Sequence, residues 1–362
     1  MNSVLNKYLV FGFLKVIYNV TLVFICLGIV LNLFEEIEFF KNLDVGLEMP
    51  FFLTLMFIPN LIIKLMPFII FIASMWFIIH IRSNNDLLSL KVFGYSNFKI
   101  IVILAFTSFI FGFFILFAIN PVTSSMVKYY EQTKAEYSKY TDHLISINQN
   151  GMWIKENEKN GFRIITAKEI KQNFLYDVTI YRLNKNYKIL ERIESKKANI
   201  ENNIWEFEKV SILNLEENEE KLFDETNYKF KSIYNVEKLS TLYKNLDTVS
   251  FLNLLTSYEK LEKKGYKKET LNEKMHIFIS MPIFLFLMVV LASIFSIGSV
   301  KKSQNLHYIF ISIITCVVVY YFKDLSVALG QTNRISLITA VWIPIISISL
   351  FCTAGIIQIN EK

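Results

Sequence analysis

The side chains best placed to bind a charged group lie within long apolar stretches of this 362-residue chain. Lys64 stands in the run "PNLIIKLMPFI", and Lys323 stands in "YYFKDLSVALG". A charged side chain inside a membrane is costly, so it usually faces a cavity or reaches to the interface. Each lysine therefore has two interpretations: contact with an anionic group such as a phosphate, or an anchor at the membrane edge.

An acidic cluster follows the first apolar stretch, in "FEEIEFFKNLDVGLE". Glu35 and Glu36 supply carboxylate oxygens, which suit hard ions such as Mg²⁺ or Ca²⁺, and such ions could bridge them to phosphates. The alternative is a solvated acidic flank without a ligand. The four histidines are scattered without the spacing of metal ligands, so the sequence predicts no dedicated metal site.

The stretch "RSNNDLLSLKVFGYS" lies between two apolar blocks and predicts a short helix. Ser83 and Asp86 have the spacing of a capping box, and Gly94 is placed to end the helix. Leu87 and Leu90 share one face. A helix this short is marginal alone in water, so it needs a surface on which to bury its apolar side. That surface could be lipid headgroups or a groove in a cytoplasmic partner.

The elements that must position these residues are membrane spans. The chain is 53% hydrophobic, and the apolar residues are concentrated in blocks. Crossing a bilayer takes about 20 apolar residues, and six blocks are long enough. These blocks are about 9–34, 51–80, 99–120, 275–298, 306–329 and 336–357.

Lys and Arg residues in the short connecting segments predict the orientation of the spans. One side of the membrane would carry most of them, including Lys7, Lys15, Arg82 and Lys91, and that side is predicted to be cytoplasmic. Both termini then lie inside, and the polar region between the third and fourth spans lies outside. We read the first block as a retained span rather than a removed signal peptide.

The polar region predicts an all-β domain. Segments such as "YDVTIYRLN" and "NYKILERIES" are short, rich in β-branched and aromatic residues, and separated by Asn and Lys clusters. Many short strands at near-regular spacing are typical of a sandwich or jelly roll. The predicted organisation is spans 1–3 over 1–120, the β domain with a helix returning to the membrane over 121–274, and spans 4–6 over 275–362.

Motifs for the common energy-driven and hydrolytic chemistries are missing from the sequence. Nothing matches G-x-x-x-x-G-K-[ST], H-E-x-x-H or G-x-S-x-G. The basic residues form no single nucleic-acid patch. The chain is therefore predicted not to be an enzyme, and any ATP hydrolysis that drives it must occur in a separate subunit.

Four stretches together resemble the lipopolysaccharide-export permeases of the LptF/LptG type. They are "RSNNDLLSLKVFGYS", "ISINQNGMWIKE", "VSFLNLLTSYEKLEKKGY" continuing into "LNEKMHIFISMPIFLFLMVVLASIFS", and "AVWIPIISISLFCTAGI". Their order and spacing match the family's layout of three spans, an inserted domain and three spans. The middle stretches are more similar to LptG than to LptF.

The resemblance implies a membrane complex and a location. The complex contains a paired homologous permease, a cytoplasmic ABC ATPase dimer that carries ATP and Mg²⁺, and a periplasmic jellyroll bridge protein. Its substrate is lipopolysaccharide, taken from the bacterial inner membrane. The chain itself would hold no cofactor, and its β domain would be a periplasmic jellyroll-like domain.

The resemblance also assigns roles to residues. The helix over about 84–93 would couple to the ATPase through six residues, Asp86, Leu87, Leu90, Lys91, Phe93 and Gly94. Asn32 occupies a position where some members carry a basic residue that contacts a lipid phosphate. Asn32, Glu35, Glu36, Lys64 and Lys323 are the candidate substrate contacts.

Two other classes of function remain open at this point. The chain could be a membrane-anchored protein whose β domain binds a ligand or assists assembly without transport. A membrane enzyme acting on a lipid-linked sugar is the weakest option, because it would need convergent acid and base residues that the sequence does not display.

Overall fold

A computed structural model describes most of the chain. The described residues are 2–41, 43, 45–138, 145–148, 151–158, 161–171, 173–184, 188–202, 204–214, 228–232, 245–263, 266, 268–298, 305–332 and 334–360.

The fold consists of long helices at both ends of the chain and a β-sheet between them. The helices are α1 (Asn2–Phe40), α2 (Glu48–Ser83), α3 (Asp86–Val92), α4 (Asn97–Phe114), α5 (Asn120–Ser138), α6 (Phe251–Thr256), α7 (Tyr258–Lys263), α8 (Lys268–Gly298), α9 (Asn305–Gln331) and α10 (Leu337–Asn360). The strands are β1 (Ile145–Asn148), β2 (Gly151–Glu158), β3 (Gly161–Lys171), β4 (Phe174–Asn184), β5 (Ile189–Asn199), β6 (Ile204–Asn214) and β7 (Tyr228–Lys231).

Six helical segments of the described chain are long and apolar enough to cross a membrane. They are Val4–Phe40, Glu48–Ser83, Asn97–Lys134, Lys268–Ile297, Ile309–Gln331 and Leu337–Gln358. Together with the sheet between the third and fourth of them, they confirm the predicted fold class of six spans with an inserted all-β domain.

The centre of the helical bundle is formed by α2 and α8. Helix α2 contacts α1, α5, α8 and α9, whereas α8 contacts α2, α4, α9 and α10. The packing is close: a Cβ atom added at Gly112 of α4 would lie 2.8 Å from the Cα atom of Pro282 in α8. Small residues commonly allow such close approach between membrane helices.

The third span continues well past the end of its apolar block. Helix α4 leads through a π-helical turn, Ile115–Ile119, directly into α5, which extends to Ser138. Pro121 explains the turn, because proline has no N–H to donate and its ring crowds the preceding carbonyls. The Asn120 N–H accordingly bonds to the Ile115 carbonyl, five residues back.

The β domain is a single antiparallel sheet in which the seven described strands follow one another in chain order. Alternate residues of β4, β5 and β6 are buried, as expected for strands with one covered face. Trp205, Phe207 and Phe230 form an aromatic group in this core, with ring centroids about 6 Å apart.

A buried ion pair shows that the sheet curls toward a half-barrel. Glu156 of β2 pairs with Arg163 of β3 at 2.6 Å, and it also accepts a hydrogen bond from Ser232, just after β7. The Arg163 guanidinium donates to the carbonyl of Lys231 and lies over the Phe230 ring. Strands near opposite ends of the sheet order therefore come together, which encloses the apolar face.

The return to the membrane is two short helices instead of the single helix that the sequence predicts. Ser250 is the N-cap of helix α6, and its side chain accepts a hydrogen bond from the Asn253 N–H. The helix is interrupted at Ser257, and α7 follows. The Asn120 side chain accepts a 2.8 Å hydrogen bond from the Phe251 N–H. The start of α6 is thus fastened to the third span.

Replacing Gly112 by alanine should destabilise the chain by about 1–3 kcal/mol, because the new methyl group would overlap Pro282 and force α4 and α8 apart. The measurement is the thermal unfolding midpoint of the detergent-purified chain. Gly46→Ala is the matched control, since nothing lies within 4 Å of the added methyl group there. Equal midpoints for the two variants would contradict the packing argument.

Candidate functional site

The short helix between the second and third spans ends in a Schellman motif. Gly94 has a left-handed backbone, with φ of 82°, and its N–H bonds to the Lys91 carbonyl at 2.9 Å. The Tyr95 N–H bonds to the Leu90 carbonyl, also at 2.9 Å. These two bonds satisfy carbonyls that a helix end would otherwise expose, and they confirm Gly94 as the stop signal.

The start of α3 differs from the predicted capping box. Asn85 is the N-cap, in a left-handed conformation with φ of 63°, and it makes no side-chain capping bond. The Ser83 hydroxyl donates instead to the His80 carbonyl at 3.0 Å. The prediction was wrong because α2 continues through Ser83, which leaves Ser83 on the preceding helix.

Helix α3 buries one apolar face and exposes another. Leu90 is fully covered, and Leu87 packs against the main helical core. Leu88, Val92 and Phe93 are at least half exposed, at 62%, 84% and 50%. The helix is therefore seated on the bundle and still presents an apolar surface.

Hydrogen bonds join this region to the first and fourth spans. The Tyr8 hydroxyl of α1 donates to the Asp86 carboxylate at 2.8 Å, and the Tyr95 hydroxyl donates to the Asn6 side chain at 2.7 Å. The Arg82 guanidinium donates to the Ser296 carbonyl of α8 at 3.2 Å. Among the predicted coupling residues, Asp86 thus already has an intrachain partner, while the Lys91 side chain is exposed.

The acidic end of α1 separates into an exposed and a buried carboxylate. Glu35 is exposed, whereas Glu36 is fully buried and accepts hydrogen bonds from Tyr130 at 2.6 Å and Lys134 at 2.8 Å, both on α5. Asn32, one turn earlier, is also buried. Asn32 and Glu36 are therefore both buried in the fold, and Glu35 alone of the three is exposed.

Lys64 lies in a charged cluster that crosses several elements. Its ammonium group pairs with the Asp247 carboxylate at 2.5 Å, and Lys274 of α8 pairs with the other Asp247 oxygen at 2.8 Å. The Asn60 amide of α2 donates to Asp247 at 3.3 Å. We call these four residues the Asp247 cluster. Asp247 belongs to a 3-10 turn, Leu246–Thr248, which follows the β domain in the chain.

Electrostatics favour the ionised form of Asp247. Burial opposes ionisation, but the ammonium groups of Lys274 and Lys64 outweigh it and hold the pKa of the Asp247 carboxyl well below its usual range. The two lysines differ in access to solvent: the side chain of Lys64 is 51% exposed and that of Lys274 is 16% exposed. Lys64 is thus the accessible cation of the cluster.

Lys323 lies on the span next to Lys64. Its ammonium group sits over the ring of Phe284 in α8, 4.5 Å from the centroid. One turn earlier on α9, the Tyr320 hydroxyl donates to the Lys64 carbonyl at 3.4 Å, and the Tyr320 ring packs on Phe68. The structure therefore brings the two predicted membrane lysines to neighbouring helices, although Lys323 makes a cation–π contact within the bundle.

Sequence reasoning missed three members of the Asp247 cluster: Asn60, Lys274 and Asp247 itself. Asn60 was visible as a polar residue in an apolar block, and Lys274 stands where the fourth block begins. Their common partner is 187 residues from Asn60 in the chain, so no local pattern could reveal the contact.

These features define a multi-pass membrane protein of six spans with an inserted all-β domain and a short apolar-faced helix after the second span. The family model described as lipopolysaccharide export system permease LptF/LptG matches residues 7–358. The chain belongs to this family. The match covers LptF and LptG together, so the closer similarity to LptG stays a prediction. No curated protein matched the chain.

Family membership indicates the general role of the chain. It indicates a non-enzymatic permease subunit of a lipopolysaccharide export complex in the inner membrane. The six apolar helices fit a multi-pass protein of that membrane.

Asp247→Asn should lower the stability of the chain at neutral pH by about 1–3 kcal/mol, because two cations would lose their shared anion. The folded-state pKa of Asp247 lies below its unfolded value of about 3.9, so its contribution is complete above that pH and is lost as the pH falls through the folded-state value. Thermal unfolding from pH 3 to 8 measures this.

The matched control is Glu259→Gln on the exposed side of α7. The stability difference between Asp247→Asn and the native chain should shrink below about pH 4, whereas the control should differ little at any pH. A pH-independent difference for Asp247→Asn would show that its effect is not electrostatic.

Proposed function

We propose that this chain is the transmembrane permease subunit of an ABC-type complex that extracts lipopolysaccharide from the inner membrane and passes it to a periplasmic bridge protein. The observation that carries the proposal is the family match over residues 7–358, nearly the whole chain. In this proposal the first three spans lie within 1–120 and the last three within 275–362. The β domain and its return helices, within 121–274, lie in the periplasm.

Helix α3 is the proposed contact with a cytoplasmic ATPase dimer, which holds the ATP and Mg²⁺ while this chain holds no cofactor. Its support is the exposed apolar side of Leu88, Val92 and Phe93. An apolar helix face that fits a groove is a common mode of protein recognition. Leu87 and Leu90 pack α3 against the helical bundle. Asp86 and Lys91 add charged side chains to the same helix, and Gly94 ends it.

The contacts around α3 provide a path for mechanical coupling. Asp86 is bonded to α1 through Tyr8, and Arg82 is bonded to α8 through the Ser296 carbonyl. A displacement of α3 by the ATPase would therefore be carried to the first and fourth spans as well as to the two spans it connects. Packed helices transmit such displacements because their interiors deform little.

Lipopolysaccharide is the proposed substrate, and Lys64 is its best-supported contact. The lipid carries phosphate groups, and half of the Lys64 side chain is exposed. Lys323 and Glu35 are further proposed contacts, whereas the buried Asn32 and Glu36 would act by shaping the outer end of α1.

A second, homologous permease is the proposed partner within the membrane. Helices α1 and α9 are the least buried of the six spans, so they have the most surface available for another chain.

The sheet supports the proposed contact with the periplasmic bridge protein in a similar way. Among the described residues, β1 pairs only with β2 and β7 only with β6, and open strand edges can accept a strand from another jellyroll protein.

Placing aspartate at both Leu88 and Val92 should reduce co-purification of the ATPase at least about tenfold, because two charges would enter an apolar contact. The measurement is the amount of ATPase recovered with the tagged chain. Ile204→Asp is the control, since Ile204 is also exposed but lies on β6. Undiminished recovery with a normal thermal midpoint would refute the coupling role of α3.

A photoreactive lysine analogue that keeps the side-chain ammonium group should form a covalent adduct with lipopolysaccharide when placed at position 64, because the Lys64 side chain is exposed at the proposed lipid site. The same probe at Trp76, an exposed position nearer the Ser83 end of α2, is the control and should give several-fold less adduct. Adducts are detected by immunoblotting for the lipid. Equal adduct at both positions would contradict a specific site at Lys64.

A further inference from the structure

We propose that, in the lipid-free protein, the Asp247 carboxylate occupies a phosphate-binding position at Lys64. A phosphate-bearing lipid displaces this carboxylate and thereby releases the turn Leu246–Thr248 from α2. This inference rests on the proposed function, because it requires that an anionic lipid reach Lys64. It adds that Asp247 competes with the lipid for Lys64 and that lipid binding releases the turn Leu246–Thr248.

The donors around Asp247 form an anion site that the protein fills with its own carboxylate. Lys274 approaches one oxygen at 2.8 Å, and Lys64 approaches the other at 2.5 Å with the Asn60 amide at 3.3 Å. All three neighbours are hydrogen-bond donors. A phosphate presents more acceptor oxygens than a carboxylate and a charge of about −1.5 to −2, so the same donors suit it at least as well.

The exposure of the two lysines indicates where exchange would begin. The Lys64 side chain is half exposed, whereas those of Asp247 and Lys274 are each only 16% exposed. An incoming phosphate can therefore reach Lys64 first. Asp247 would keep Lys274 as its partner during the exchange, so no buried charge is left alone.

Repulsion explains why the turn should leave α2. Glu131 of α5 lies on the same side and accepts a hydrogen bond from Asn245, the N-cap of the turn. Lys64 and Lys274 are thus already balanced by the carboxylates of Asp247 and Glu131. A phosphate added beside them creates an excess of negative charge in a partly buried place, and moving Asp247 away from Lys64 and α2, while it stays paired with Lys274, relieves that excess.

The released segment is bounded by firm contacts. Val249 and Phe251 are buried in a small apolar core with Leu254 and Leu271, so α6 would stay in place. The turn itself is closed by the bonds from the Thr248 and Val249 N–H groups to the carbonyls of Asn245 and Leu246, each 3.1 Å long. Because this turn lies in the chain between the sheet and α8, its release would link lipid arrival to the connection with the β domain.

The test is amide hydrogen exchange of the full chain in dodecyl maltoside, a detergent without phosphate. Exchange at Thr248 and Val249 is compared without ligand, with lipopolysaccharide, with the same lipid stripped of its phosphates, and with millimolar inorganic phosphate. We expect the phosphorylated lipid to speed exchange at these amides about tenfold and the phosphate-free lipid to leave it unchanged. Equal acceleration by inorganic phosphate would assign the site to the free ion.

Variants test the competition directly. Asp247→Asn should tighten lipopolysaccharide binding about fivefold, because the apparent affinity of a site falls with the fraction of time that it is occupied by a competitor. Lys64→Gln should weaken binding. The matched control is Glu206→Gln, which removes the acid of an exposed pair with Lys229 in the β domain and should leave lipid affinity unchanged.

The outcomes separate this inference from the proposed function. If lipopolysaccharide binds but leaves exchange at Thr248 and Val249 unaltered, or if Asp247→Asn binds it no more tightly than the Glu206→Gln control, the displacement of Asp247 is refuted while the permease stands. If the intact chain together with its co-purified partners fails to bind lipopolysaccharide at all, the proposed function itself fails.

Discussion

Hydrophobic burial alone cannot hold a helix bundle in register within a membrane, because lipid tails are as apolar as the side chains that face them. Close packing and polar contacts must do so instead. In this protein the approach of Gly112 to Pro282 fixes α4 against α8 near the centre. Polar contacts hold the bundle at two further places: Tyr8 with Asp86 beside the short helix α3, and Lys64, midway along α2, with Asp247.

One of these polar contacts lies just past the C-terminal end of α2 and the other lies midway along α2, and both involve segments outside the spans. One joins α1 to the short helix α3, and the other joins α2 and α8 to the turn that follows the β domain. The proposed function would use both connections, since energy would enter on the side of α3 and the lipid would leave on the side of the β domain. Helix α2, central in the bundle, carries Lys64 and leads into α3, so it is the element that connects the two contacts.

The continuous third span contributes further polar contacts next to the β domain. A π-helical turn at Ile115–Ile119 lets the helix pass Pro121 and extend to Ser138, beyond its apolar block. In this extension Tyr130 and Lys134 donate hydrogen bonds to the buried Glu36, and Glu131 accepts a hydrogen bond from Asn245. The end of the bundle next to the β domain is thus organised around a polar helix that composition alone would have assigned to the inserted domain.

Local sequence patterns predicted the six spans, the inserted β domain, the short helix after the second span and its end at Gly94. Each of these follows from local composition or periodicity, because bilayer thickness, strand alternation and the left-handed preference of glycine act over a few residues. Local pattern failed at Ser83, where α2 runs past the expected cap, and at Ser257, where the return helix breaks. The pairing of the polar side chains could be established only from the three-dimensional fold. In the folded protein Lys64 pairs with Asp247, and Glu36 is covered by α5 and pairs with Lys134. Neither pair could be predicted from local sequence, because the partners lie far apart in the chain.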